Sequence, residues 1–184
     1  MTRWLHAFYL AFFSHPKGLR PLYRAVRKRA KQRGTIRKIT ELGLGTAERT
    51  LRLLDLCEAD EVVQYAGIDL FEARQNGDGP GMSLKSAHQQ LSSSGAKVKL
   101  IPGDPFSALA RSANSLIGQD LIFIAADQDR ASLTKAWFYV PRMLHEATLV
   151  FEETLVDGQP TVQLLSLEEI GRRAAAGAPG RRAA

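Results

Sequence analysis

The sequence predicts one α/β domain built on a doubly wound, mostly parallel sheet. Apolar strand patterns alternate with amphipathic helix patterns between residues 36 and 153. A glycine turn follows the first of these strands, and an acid ends the second. The chain has 184 residues, of which 45% are hydrophobic, so one sizeable core is expected.

Charge is distributed unevenly along the chain. Residues 1–40 contain 11 Lys or Arg and no acid, all 19 acids lie within 41–171, and residues 172–184 contain four Arg and no acid. Charge and composition together predict three parts: a basic, aromatic helical arm at 1–34, the α/β domain at 35–170, and a disordered Arg/Ala/Gly tail at 171–184.

The arm has two helical patterns, an aromatic one over 4–13 and a basic one over 19–32, separated by a break at Ser14-His15-Pro16. Basic and aromatic residues together suit an anionic membrane surface or nucleic acid. The acidic centre of the chain disfavours a nucleic-acid-binding core. The aromatic helix is also a candidate dimer contact, so both a monomer and a homodimer stay open.

The alternation can be followed element by element. The fourth strand is the most apolar, which predicts a central position. A turn at Asp157-Gly158 leaves no room for a helix before the last strand, so that strand should pair antiparallel, as a hairpin. The expected strands are 36–42, 63–69, 97–101, 120–125, 147–153 and 161–167, and the expected helices of the domain are 46–57, 82–93, 106–113 and 131–144.

The turn after the first strand has the form of a ligand site. Gly43 and Gly45 allow backbone conformations or close approaches that a side chain forbids, and Thr46 is the expected cap of the next helix. Asp69 ends the second strand at the offset where a carboxylate can bind a ribose diol. Glu41 beside the turn would repel a pyrophosphate, and Glu48 stands where a dinucleotide fold needs a third glycine, so NAD is disfavoured.

These residues resemble the class I S-adenosylmethionine-dependent methyltransferases, over residues 36–153. The resemblance therefore implies a Rossmann-like fold of that type, with a shortened C-terminal hairpin and an added N-terminal helical arm. The matching segments are Glu41-Leu42-Gly43-Leu44-Gly45-Thr46-Ala47, Gly67-Ile68-Asp69, Gly103-Asp104-Pro105-Phe106 and Ala126-Asp127-Gln128-Asp129.

The resemblance implies S-adenosylmethionine as the cofactor and assigns a role to each matching position. Asp127 would face the methyl acceptor as the catalytic residue. The implied cofactor contacts are Glu41, Gly43 and Gly45 at the methionine end, Asp69 at the ribose, and Asp104 and Phe106 at the adenine, together with Thr46 and Leu70.

The expected activity is methyl transfer to a small molecule or a protein. Ala47 in place of a third glycine, and the lack of an Asn-Pro-Pro-Tyr-type signature, keep a second interpretation open: a non-catalytic module that binds a partner or membrane through the arm. An RNA methyltransferase is a third. No His/Cys cluster has metal-ligand spacing, so no metal is expected. The single cysteine, Cys57, favours a cytoplasmic location.

Overall fold

Six strands form one sheet with a single antiparallel member. The computed structural model describes residues 3–32, 36–57 and 62–178. The strands are β1 (Lys38–Leu42), β2 (Gln64–Asp69), β3 (Lys97–Pro102), β4 (Leu121–Ile124), β5 (Leu149–Val156) and β6 (Gln159–Leu164). Their order is β3-β2-β1-β4-β5-β6, with β1 to β5 parallel and β6 antiparallel to β5. The doubly wound sheet and the closing hairpin predicted from the sequence are confirmed.

Helices cover the sheet and precede it. They are α1 (Arg3–Phe12), α2 (Arg20–Gln32), α3 (Glu48–Leu56), α4 (Leu84–Ser92), α5 (Pro105–Ser112), α6 (Arg130–Ala136) and α7 (Leu167–Gly177). The helix predicted over 131–144 is shorter, because a separate 3-10 turn at Val140–Met143 follows α6. Within the described ranges, no helix combines the length and apolarity needed to cross a bilayer.

The core lies in two apolar layers, one on each face of the sheet. All four residues of β4 are fully buried, which agrees with its predicted central position. On one face, Leu22 and Tyr23 of α2 pack in the same cluster as Ile39 and Phe123. The helix of the basic arm therefore contributes to the main core. The other face is formed mainly by α5, α6 and the 3-10 turn at Val140–Met143.

The C-terminal segment departs from the prediction. Residues 171–177, which we expected to be disordered, are the second half of α7. Ser166 starts this helix by accepting a hydrogen bond from the Glu169 backbone N–H, and Ile170 is buried against the domain. Arg173 then pairs with Glu152 at 2.7 Å. The prediction was wrong because it rested on composition and not on the capping signal at Ser166. Residues 179–184 lie outside the described ranges.

Candidate functional site

The candidate site lies at the carboxyl ends of the two central strands. β1 pairs with β2 on one side and β4 on the other, and the crossovers run in opposite directions from this pair. The loops that follow β1 and β4 therefore separate and leave a crevice. The first of these loops contains the glycine turn, and the second contains Asp127.

The glycines are needed for both backbone conformation and space. Gly43 and Gly45 have φ values of 90° and 59°. A Cβ on Gly43 would overlap Gln128 and would lie 2.6 Å from the Ala125 Cβ. The close approach at Gly43 is thus made by the protein's own loop after β4. Gly45 is more open, because the nearest atom to a Cβ there is the Pro80 carbonyl oxygen at 3.7 Å.

The predicted cap of α3 is wrong. The helix begins at Glu48, one residue later than a Thr46 cap would place it, and Ala47 occupies the cap position with a left-handed φ of 62°. Ala47 makes no side-chain cap bond, and its backbone N–H donates to the Leu44 carbonyl at 3.1 Å. The turn is therefore one residue wider than expected, and Thr46 lines the cavity beside it.

A cavity of about 620 Å³ lies over this turn. Ligand sites in proteins commonly occupy about 300–1,000 Å³. Its charged lining mixes acids with bases: Glu48, Asp127 and Glu153 with Arg49 and Arg52. The rest of the lining is Pro16, Leu19, Gly43, Leu44, Gly45, Thr46, Gly77, Gly79, Pro80, Ala125, Ala126, Leu155 and Pro160.

A first carboxylate cluster, the Glu41 cluster, consists of Glu41, Arg49, Thr50 and Tyr65. Glu41 is fully buried, and its oxygens accept hydrogen bonds from Arg49 at 2.7 Å and from the Tyr65 hydroxyl at 2.6 Å. Burial and the neighbouring Glu41 carboxylate raise the pKa of Tyr65 well above its usual value. This placement corrects the expected contact of Glu41 with a cofactor, because its oxygens are turned into the protein.

Arg49 connects the Glu41 cluster to the turn. Its guanidinium donates to the Gly43 carbonyl at 2.7 Å and lies 4.0 Å from the centre of the Phe123 ring. Burial lowers the pKa of Arg49, but the Glu41 and Glu153 carboxylates outweigh it, so the pKa stands above its ordinary value. Glu41 thus acts on the turn through Arg49.

A second cluster, the Asp69 cluster, consists of Asp69, Arg74 and Asp127. The Asp69 side chain is 2% exposed and accepts backbone N–H groups of Leu44 at 2.7 Å, Gly45 at 3.2 Å and Phe71 at 3.1 Å. Arg74 adds two further donors, at 2.9 and 2.8 Å. Five donors saturate a carboxylate, which has about four lone-pair sites.

Arg74 also reaches the loop after β4. Its Nη2 lies 3.2 Å from the Asp127 carboxylate, and another of its nitrogens donates to the Asp78 carbonyl. Burial raises the pKa of Asp69, but the bonds from Arg74 and from the backbone N–H groups of Phe71 and Gly45 outweigh it, so the pKa falls below its ordinary value.

Sequence reasoning missed Arg74, because it lies in a loop interpreted only by its Gly, Asn and Asp content. One signal was available in the sequence, a basic residue five positions after a strand-ending acid. The structure adds a second, because a Cβ on Gly81 would overlap the Arg74 side chain.

Glu41 and Asp69 do not line the cavity themselves and contact it through Arg49 and the glycine turn, and the remaining expected contacts lie away from it. Asp104 caps α5, accepting the backbone N–H groups of Phe106 and Ser107, each at 3.1 Å. Burial raises the pKa of Asp104, and hydrogen bonds from Ser107, Ser132 and the backbone bring it down to about 2. Phe106 packs against Tyr139, with ring centres 6.0 Å apart, and Leu70 is half-buried before the 3-10 turn at Phe71–Ala73.

A second cavity of about 570 Å³ adjoins the first. The two share Ala125, Ala126, Glu153 and Leu155 as lining. The second extends to α6 and α7, where the Arg173 guanidinium lies 4.9 Å from the centre of the Trp137 ring. The loop after β4 therefore borders two spaces, one toward the glycine turn and one toward the C-terminal helix.

Comparison with known proteins identifies the fold. The O-methyltransferase TomG from Streptomyces achromogenes, solved in complex with SAM, matches with a TM-score of 0.55 and 16% identity over 83% of this chain and 66% of its own. A SAM-dependent methyltransferase from Agrobacterium tumefaciens matches with a TM-score of 0.53 and 12% identity, over 87% and 50%. The chain spans less than two thirds of both structures. No family model and no curated protein matches it.

The chain therefore has the fold of the class I SAM-dependent methyltransferases, as the sequence predicted. Within residues 3–32, 36–57 and 62–178, no group of three or more His, Cys, Asp or Glu side chains is arranged to hold a metal ion.

Proposed function

We propose that the chain binds S-adenosylmethionine in the cavity over the glycine turn and transfers its methyl group to an acceptor. One observation carries this proposal: the turn after β1 and the loop after β4 form opposite walls of a single cavity at the switch point of the sheet. Ligands of open α/β sheets bind at this point.

The chemistry of the lining fits this cofactor. Glu48, Asp127 and Glu153 complement a sulfonium or ammonium group, and Arg49 and Arg52 complement a carboxylate. The methionine end of the cofactor carries all three groups. When bound, the cofactor supplies an electrophilic methyl group, whose transfer requires mainly that the acceptor be held in line.

The ribose position imposes one condition. The oxygens of Asp69 are fully occupied by Arg74 and by three backbone N–H groups. A diol can therefore bind Asp69 only if Arg74 moves away. Arg74 belongs to the segment between β2 and α4, which contains Gly77, Gly79 and Gly81, so its movement requires no rearrangement of the sheet.

We assign Asp127 a role at the acceptor. Its side chain is 25% exposed, it lines the cavity, and its second oxygen accepts a hydrogen bond from Gln128 at 2.8 Å. Such a carboxylate can orient a nucleophile and take the proton that the nucleophile loses as it bonds to the methyl carbon. The adjoining cavity, bordered by the same loop, is the proposed acceptor side.

Isothermal titration with S-adenosylmethionine and S-adenosylhomocysteine tests the cofactor. We expect saturable binding to the full chain, weakened at least about tenfold by Asp69→Asn, because the amide is uncharged and offers one acceptor oxygen where the carboxylate offers two. Asp129→Asn is the matched control, since Asp129 only caps α6 and Asn caps equally well. The proposal fails if folded wild-type protein binds neither compound.

The second candidate is a non-catalytic module of the same fold. The occupied Asp69 favours it, because the Arg74 ion pair already fills the place where a diol would bind. Transfer of labelled methyl from S-adenosylmethionine into cell-extract fractions separates the two, and the labelled fraction identifies a small-molecule, protein or RNA acceptor. We expect Asp127→Asn to reduce this transfer while retaining cofactor binding; binding without transfer into any fraction would favour the module.

A further inference from the structure

An exposed apolar stripe runs along α1 and into the residue after it. Leu5, Tyr9, Phe12 and Phe13 are exposed by 47%, 48%, 40% and 56%. Their spacing places them on one side of the helix, while Leu10 and Ala11 on the other side are buried. The stripe is therefore a surface feature, separate from the packing that anchors α1.

Basic residues of α2 border this stripe directly. The Arg24 guanidinium lies 5.2 Å from the centre of the Phe12 ring, and that of Arg27 lies 5.6 Å from the centre of the Phe8 ring. Lys28 is exposed one position further along α2. Arg24, Arg27 and Lys28 line a shallow groove together with Phe12 and Ala11. Aromatic and cationic groups thus share one continuous face.

The arm carries no opposing charge of its own, since residues 1–40 contain 11 Lys or Arg and no acid. Asp55 contacts His6, which lies at the edge of the stripe opposite Phe8 and α2. An apolar stripe bordered by the cations of α2 complements a surface that is apolar beneath and anionic above. A bilayer containing anionic lipids has this layering.

We propose that this face, formed by Leu5, Phe8, Tyr9, Phe12 and Phe13 with Arg24, Arg27 and Lys28, docks on anionic lipid bilayers. The aromatic side chains enter the boundary between headgroups and acyl chains, and the basic side chains contact the headgroups. The helix lies in the membrane plane. This proposal is independent of cofactor binding.

Vesicle flotation with the full chain tests it. We expect binding to phosphatidylcholine vesicles containing about 30% phosphatidylserine to be at least about tenfold stronger than to pure phosphatidylcholine vesicles, and to weaken in about 0.5 M NaCl. Phe12→Ser with Phe13→Ser should reduce binding about tenfold or more. The matched control is Leu164→Ser with Leu167→Ser, which removes two equally exposed apolar residues at the other end of the chain, 51% and 59% exposed.

Four results would overturn the proposal. The first is equal binding to both kinds of vesicle, and the second is an equal effect of the Leu164/Leu167 control. The third is a change from dimer to monomer on Phe12→Ser with Phe13→Ser in the absence of lipid, which would identify a second copy as the occupant. The fourth is salt-sensitive retention of RNA that Lys28→Gln abolishes, in a protein that binds no vesicles. This result would assign the face to nucleic acid. Circular dichroism of each variant confirms that it is folded.

Discussion

The Glu41 cluster and the Asp69 cluster are both carboxylate–arginine networks in contact with the glycine turn, yet they are built differently. Glu41, Arg49, Thr50 and Tyr65 all belong to regular elements, β1, α3 and β2. In the Asp69 cluster only Asp69 lies on a strand, whereas Arg74 and Asp127 lie on loops. The Arg49 and Arg74 side chains are similarly exposed, by 14% and 11%.

This difference separates a fixed interaction from an exchangeable one. Breaking the Glu41–Arg49 pair leaves a charge buried between sheet and helix, with no element free to follow it. Breaking the Asp69–Arg74 pair needs only a loop to move, and three backbone N–H groups continue to stabilise the Asp69 carboxylate. The first cluster therefore holds the turn in shape, whereas the second can open by movement of a loop alone.

The largest effect is expected for Glu41→Gln. The substitution leaves the Arg49 guanidinium buried without its main counter-charge, which should cost roughly 3–5 kcal/mol of unfolding free energy. Urea denaturation followed by circular dichroism measures the loss. Glu146→Gln, at an exposed acid, should stay within about 0.5 kcal/mol. A small loss at Glu41 would contradict its role in fixing the turn.

Arg74→Ala should strengthen cofactor binding. It removes the group that competes for Asp69, so affinity for S-adenosylhomocysteine should rise about tenfold, or about 1.4 kcal/mol. Titration calorimetry measures this change, with Arg142→Ala at an exposed arginine near Phe138 as the control. Weaker binding by the variant would instead make Arg74 part of the binding surface.

Asp104→Ala distinguishes capping from cofactor contact. Loss of the α5 cap should cost about 1 kcal/mol of unfolding free energy. Affinity for S-adenosylhomocysteine should remain unchanged, because Asp104 neither lines the cavity nor bonds to the glycine turn, whereas Asp69 accepts two backbone N–H groups of that turn. Thermal denaturation and titration calorimetry on the same sample measure both quantities. A large loss of affinity in this variant would restore the adenine contact that the sequence suggested.

The smallest effect is expected on the loss of unfolding free energy at acidic pH. Because the folded-state pKa of Asp69 is lowered from 3.8, its contribution to stability is present above that value and is lost as pH falls through the lowered pKa. Arg74→Ala removes one cause of the lowering, so the variant should lose less unfolding free energy than wild type between neutral pH and pH about 3. Urea titrations at several pH values test this; identical acid profiles would contradict it.

The sequence predicted the sheet well because its signals are local. Apolar runs such as Leu121–Ile124 and the turn at Asp157-Gly158 specify strands and a hairpin without knowledge of the partners. The capping signal Ser166-Leu-Glu-Glu169 was equally local and would have predicted α7, had composition not been given more weight.

The site could be predicted only in part, because its contacts join distant segments. The glycine turn and the loop containing Asp127, both predicted from the sequence as parts of the site, line one cavity. The local sequence does not show which donors surround a given acid. Arg49 and Arg74 reach Glu41 and Asp69 across turns, and the shape of these turns depends on the whole fold. A buried acid such as Glu41 implies a buried base, and this rule would have singled out Arg49.

One contact beside the candidate cavity, which Pro16, Leu19 and Pro160 help to line, limits where the chain can be truncated. Gly18 lies so close to the hairpin of β5 and β6 that a Cβ there would overlap the Pro160 carbonyl oxygen. The turn between α1 and α2 therefore packs against β6, and this N-terminal segment covers the β6 edge of the sheet. A fragment beginning at residue 36 would expose the β6 edge and the apolar surface under Leu22 and Tyr23. We expect it to self-associate, because exposed strand edges and apolar surface pair with other copies.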